Sequence, residues 1–125
     1  MPRNGFNAPG AASVGSYSHV VSVDGFYYLS GQTPLDPPSS ALVSGSIADQ
    51  TRQCFANLVA VLEAAGLTLD NVIKCNTYLT DMNDFAEYDA VYRTYFSEPF
   101  PARTTVQVAG LPMGAQIEIE MVAHA

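Results

Sequence analysis

Charge is what this chain has least of. Only 14% of its 125 residues are charged, against the usual ~25%. Lysine and arginine together number five, Arg3, Arg52, Lys74, Arg93 and Arg103, and they are scattered along the sequence. With a net charge of −7 and no basic stripe, the chain is expected to bind neither long nucleic acid nor an anionic membrane surface. It has two histidines and two cysteines, with no ligand spacing between them, which argues against a zinc site. Cys54 and Cys75 form no CxxC pair and are expected as free, buried thiols. No apolar run approaches the ~18 residues of a membrane span, and the first residues lack the apolar core of a signal peptide. A cytoplasmic location is the expectation. Phosphate loops of the GxxxxGK or GxGxxG type and the GxSxG nucleophile elbow are also missing. That leaves no sign of a nucleotide cofactor or of serine-based covalent catalysis.

What remains is apolar: 48% of residues are hydrophobic, enough for the core of one domain over 1–125. Residues 1–14, rich in Gly, Ala, Pro and Asn, read as a loose arm. The run Tyr17–Val23 is β-like, Asp24-Gly25 signals a two-residue hairpin, and Phe26–Ser30 returns as its second strand. After a Pro- and Ser-rich loop, Ser46 with Asp49 three residues on is a capping-box-like helix start. Ile47, Thr51, Cys54, Leu58, Val61, Leu62 and Ala65 then trace one helical stripe, which Gly66 stops. Residues 71–79 alternate as a third strand. A second helix runs to about Phe96 with Phe85, Tyr88, Tyr92 and Tyr95 on its apolar face. Two more alternating runs close the chain. In one, Thr104, Val106 and Val108 oppose Arg103, Thr105 and Gln107. In the other, Ile117, Ile119 and Met121 oppose Gln116, Glu118 and Glu120, each strand being expected to bury its aliphatic side. The order ββαβαββ, with too few helices to cover two faces, predicts an α+β fold: one mixed sheet with both helices on one side. The other face is left partly apolar, and burial against sister subunits is the economical way to cover it.

The polar sides of the last two strands carry the chain's clearest chemical pair. Arg103 is able to grip a planar carboxylate through two parallel N–H···O bonds. A nearby Glu118 is able to orient a water and take its proton. Addition of water to an activated C=N bond needs no metal and no covalent nucleophile, so it suits a chain with neither. The competing reading is a solvated polar face with a weak surface ion pair. His19, in a strand of undetermined facing, reads as a packing or surface residue. His124, next to last, reads as a frayed end. Tyr88, Tyr92 and Tyr95 read as core.

Several stretches also resemble the YjgF/UK114 family, known as Rid, for reactive intermediate deaminase. They are Gly15-Ser16-Tyr17-Ser18, Leu29-Ser30-Gly31-Gln32-Thr33-Pro34-Leu35-Asp36, Gln50–Gln53, Asn57-Leu58, Tyr78–Phe85, Pro101–Val108, Leu111-Pro112 and Ile117–Glu120. The resemblance implies a chorismate-mutase-like fold and a homotrimer with a central barrel and ligand clefts between subunits. It implies cofactor-free hydrolysis of imines and enamines such as 2-aminoacrylate and 2-aminocrotonate to 2-keto acids and ammonia. By position, Arg103 holds the substrate carboxylate, Glu118 holds the attacking water and the backbone of Thr105 meets the imine end. Tyr17, Ser30 and Gly31 close the cleft from the neighbouring subunit. Three positions depart from the family pattern: Ser16 replaces a proline, Thr105 stands where Cys or Ser is frequent, and Asp89 stands in the substrate site where Asn is usual. A carboxylate at 89 either repels an acidic substrate or stays protonated by burial. Two other readings follow from the same resemblance: a non-catalytic trimeric keto-acid binder or chaperone-like protein, and a ribonuclease or translation inhibitor.

Overall fold

The computed structural model describes residues 3–11 and 15–125; residues 1, 2 and 12–14 of the expected arm lie outside them. Among the described residues six strands form one mixed sheet: β1 (Asn4–Phe6), β2 (Val20–Val23), β3 (Phe26–Gln32), β4 (Val72–Leu79), β5 (Ala102–Gln107) and β6 (Ile117–His124). Their spatial order is β1-β2-β3-β6-β4-β5. Of these pairings, only β4–β5 is parallel. Two helices, α1 (Ile47–Ala64) and α2 (Phe85–Tyr95), complete the fold. Their buried faces and the buried sides of β4 and β6 share one core, so both helices cover the same face. The expected architecture is the one found. No helix among the described residues is long and apolar enough to cross a membrane.

The local signals work as their chemistry requires. Asp24 and Gly25 both take positive φ, 52° and 81°, in the tight turn that joins Val23 to Phe26. Ser46 caps α1 through a reciprocal capping box with Asp49, a device that contributes about 1 kcal/mol. The stripe from Ile47 to Leu62 is buried, joined by Phe55, whose ring stacks on Tyr95 at 4.2 Å. Gly66, at φ +77°, ends the turn that follows the helix. Cys54 and Cys75 are free and buried.

Two expectations fail. Asn4–Phe6, inside the stretch read as a loose arm, pairs antiparallel with β2. The arm is held further by His19, whose Nδ1 accepts the Ala8 N–H at 2.9 Å while its own N–H donates to Asn7 Oδ1 at 3.1 Å. These contacts explain why β2 starts only at Val20: Tyr17–His19 form the approach that receives the arm. His19 is therefore a buried packing residue. The second failure is the facing of β5. Ala102, Thr104 and Val106 are exposed, and it is Arg103 and Thr105 that turn toward α2. On β6 the expectation holds, with Ile117, Ile119 and Met121 buried. The face away from the helices stays uncovered within the chain. It carries Phe26, Tyr28, Val106 and Val122 among Lys74, Asn76, Glu118 and Glu120, and Tyr28 is 48% exposed.

Candidate active site

Arg103 is fixed by a helix face of regular spacing. Phe85, Tyr88, Asp89 and Tyr92 lie at i, i+3, i+4 and i+7 on α2, so they meet β5 together. The guanidinium carbon lies 5.3 Å from the Phe85 ring centre, 5.5 Å from Tyr88 and 4.5 Å from Tyr92. Such cation–π contacts contribute about 0.5–2 kcal/mol each, more where water is excluded. Nη1 donates to Asp89 Oδ1 at 2.7 Å. The other oxygen of Asp89 accepts from Arg93 Nη2 at 3.2 Å. The hydrogen bond from Arg103 is the main cause that holds the Asp89 carboxyl below its ordinary range, against the opposing effect of burial. Asp89 is thus ionised, and the alternative of a carboxyl protonated by burial is corrected. Beside the guanidinium opens a pocket of about 350 Å³ lined by Asp89, Tyr92, Arg93, Phe100, Pro101 and Arg103. Thr105 lies on the same edge strand. With only β4 on one side of it, β5 has backbone groups left free to meet a ligand or another chain.

Glu118 belongs to a different group. Laterally paired residues point to the same face. Cys75, buried on the helix side, pairs with Arg103 and Met121, while Tyr78 pairs with Val106 and Glu118. Arg103 therefore lies on the helix side and Glu118 on the open side. The expectation of the two side by side is not met within one chain. Glu118 instead rests on Gly31: a Cβ there would come within 2.5 Å of Glu118 Oε2, so no larger residue fits without displacing the carboxylate. The site lies where β3 bulges between Leu29 and Gln32. Ser30 of that bulge donates its hydroxyl to Ser18 O at 2.7 Å and its N–H to His19 O at 2.9 Å. These bonds tie the segment carrying Tyr17 to β3. Tyr17 itself is exposed, its ring 6.2 Å from that of His19. Nearby, Glu120 accepts the Tyr78 hydroxyl and the Asn76 amide, the latter at 3.2 Å. That first bond is the main reason the Tyr78 hydroxyl is pushed up to about 12. Burial first, and the negative charge of Glu120 second, raise Glu118 above the ordinary glutamate value of 4.5. A carboxylate raised in this way is a better proton acceptor from water.

The raised value sets the sign of a stability test. Between 4.5 and the raised pKa the folded chain binds more protons than the unfolded chain. Stability therefore falls as pH climbs through that window and stays lower above it. Glu118→Gln, which cannot ionise, is expected to be more stable than the wild type at about pH 7 and to lose that advantage near pH 3.5. Urea unfolding at the two pH values checks it; a variant less stable at neutral pH contradicts the assignment.

The resemblance puts Arg103, Glu118 and the Thr105 backbone on one side of a cleft and Tyr17, Ser30 and Gly31 on the other, with Asp89 as a departure on a helix. Within one chain Asp89 pairs with Arg103, while Glu118 lies against Gly31. The rings of Phe85, Tyr88 and Tyr92 were legible only as core, although their spacing with Asp89 marks one continuous helix face.

Comparison with known proteins bears on this geometry. A model of the family described as Endoribonuclease L-PSP matches residues 7–125. The chain is 48% identical over 118 residues to a RutC family protein of Pyrococcus horikoshii, covering 94% of this chain and 92% of the relative. It is 47% identical over 116 residues to the 2-iminobutanoate/2-iminopropanoate deaminase of Homo sapiens, covering 93% and 83%. Among solved structures, RidA from the Antarctic bacterium Psychrobacter superposes with a TM-score of 0.94 at 42% identity, covering 98% of this chain and 100% of that one. A Rid family protein from Yersinia pestis gives 0.95 at 37% identity, covering 99% and 100%.

Proposed function

The chain belongs to the Endoribonuclease L-PSP family, the YjgF/Rid proteins, and we propose that it is a hydrolytic deaminase of small 2-imino and enamine acids. The observation that carries the proposal is Arg103, held rigid by three aromatic rings and Asp89 at the edge of a pocket. The substrate carboxylate takes the free edge of the guanidinium, which presents the C=N carbon in one orientation. An enamine first takes a proton at carbon and gives one up from nitrogen, becoming the imine. Glu118 accepts a proton from water, whose oxygen bonds to the imine carbon as the C=N electron pair moves to nitrogen. The resulting carbinolamine receives the proton on nitrogen. The hydroxyl proton then passes to nitrogen as the C–N bond breaks and the carbonyl forms, and ammonia and a 2-keto acid leave.

Because Arg103 and Glu118 lie on opposite faces of one chain, this chemistry requires a composite site. We place Arg103 and the Thr105 backbone from one protomer against Tyr17, Ser30, Gly31 and Glu118 of the next. Closure into a ring repeats such a heterologous contact and also covers the partly apolar open face, and a threefold ring is the one that the family resemblance implies. A ribonuclease, the activity that the family description names, needs a cationic track for phosphates. The net charge of −7 gives no support for one, and the two arginines that do meet, Arg93 and Arg103, share the carboxylate of Asp89.

The test is to generate imino acids in situ with an amino-acid oxidase and trap what survives with semicarbazide. Purified chain is expected to hasten imine decay. Decay no faster than in buffer, across several amino acids, would remove the proposal.

A further inference from the structure

The Arg103 pocket holds a carboxylate of its own. Asp89 takes Nη1 of Arg103 at 2.7 Å and is itself only 25% exposed. Arg93 leans on the same carboxylate at 3.2 Å, but at 67% exposure its charge is largely screened by water. Two arginines and one aspartate leave the pocket with one unit of positive charge. Such a pocket balances one carboxylate on a ligand. A second carboxylate would enter with no cation left to meet it and with Asp89 close by, and like charges brought together with little water between them repel strongly.

We propose that Asp89 sets the charge class of the acid this site accepts: it admits monocarboxylic 2-imino and 2-keto acids and turns away dicarboxylic ones. This inference rests on Arg103 being the carboxylate clamp and adds which acids it selects. The negative charge works in two ways. It occupies one arm of the guanidinium fork, so that a single edge is left for the ligand. It also cancels the attraction that a free guanidinium would exert on a second anionic group. Asparagine has the same shape, and its amide oxygen can still accept the Arg103 hydrogen bond, so Asp89→Asn isolates the charge from the packing.

The experiment compares binding of two stable keto acids of similar size, 2-ketohexanoate and 2-ketoglutarate, to wild-type, Asp89→Asn and Arg103→Lys proteins by calorimetry. Asp89→Asn is expected to tighten 2-ketoglutarate about tenfold or more and 2-ketohexanoate by less than about threefold. Because each ligand is compared with itself across two proteins, differences in ligand size cancel. Wild-type protein that binds both acids equally well, or a variant that shifts both by the same factor, overturns the role of Asp89 and leaves the deaminase reading standing. Keto acids that bind neither protein, or that bind Arg103→Lys as tightly as wild type, overturn the clamp itself and the selectivity with it.

Discussion

Mixed trimers assembled from Arg103→Ala chains and Glu118→Gln chains are expected to recover about one third of native activity, although each variant alone is inactive. The expectation follows from the two faces of the sheet. Cys75 pairs laterally with both Arg103 and Met121 on the helix side, while Glu118 stands across from Tyr78 on the open side. If one site draws Arg103 from one protomer and Glu118 from the next, every mixed trimer contains one junction where both side chains are native. This holds whichever variant is in the majority. Co-expression with two different affinity tags, purification on both, and assay with the imine trap deliver the number. The two homotrimeric variants serve as controls. If the mixed species is as inactive as its parents, the two residues act within one chain or not together, and the composite site is wrong. Light scattering that finds only a monomer in solution excludes the composite site before any assay is run.

What was legible in the sequence follows the reach of each signal. The Asp24-Gly25 turn, the Ser46–Asp49 cap and the stripe of α1 are set by neighbours a few residues apart, and all three are found. Strand alternation divides β5 into two sides but does not say which side is buried, because that depends on what lies above. The aliphatic rule names Val106, yet the rings of α2 draw in Arg103, and Val106 is left on the open face. The three-residue strand β1 is too short to show a period; it exists because β2 offers an edge and His19 and Asn7 bind it there. The separation of Arg103 from Glu118 depends on how β5 and β6 register against the β4 that lies between them, and that register is fixed by contacts far apart in sequence. The residues of the site were therefore readable one at a time, and their grouping was not. Gly31 shows the limit well: the sequence marks it as part of a motif, and only the structure shows that a Cβ there would lie 2.5 Å from Glu118 Oε2 and push the carboxylate away.

Arg103→Lys is expected to lower kcat/KM by about 100-fold or more while leaving the fold in place. Lysine keeps the positive charge, and its ammonium group can still pair with Asp89. What it loses is the planar fork, which lets one residue hold Asp89 through Nη1 and present a second edge to a ligand. Alanine is a less selective test than an exposed strand arginine would allow. Arg103 is only 24% exposed, and truncation removes three ring contacts and leaves Asp89 with Arg93 alone, at a cost of about 1–3 kcal/mol. The Arg103→Lys loss is expected in kcat as well as KM, because a carboxylate gripped by a single point no longer fixes the C=N carbon relative to the water on Glu118. Steady-state kinetics beside thermal unfolding separates the effects. Near-native kcat/KM in a folded Arg103→Lys protein means that charge alone suffices, and the oriented clamp has no part in the reaction.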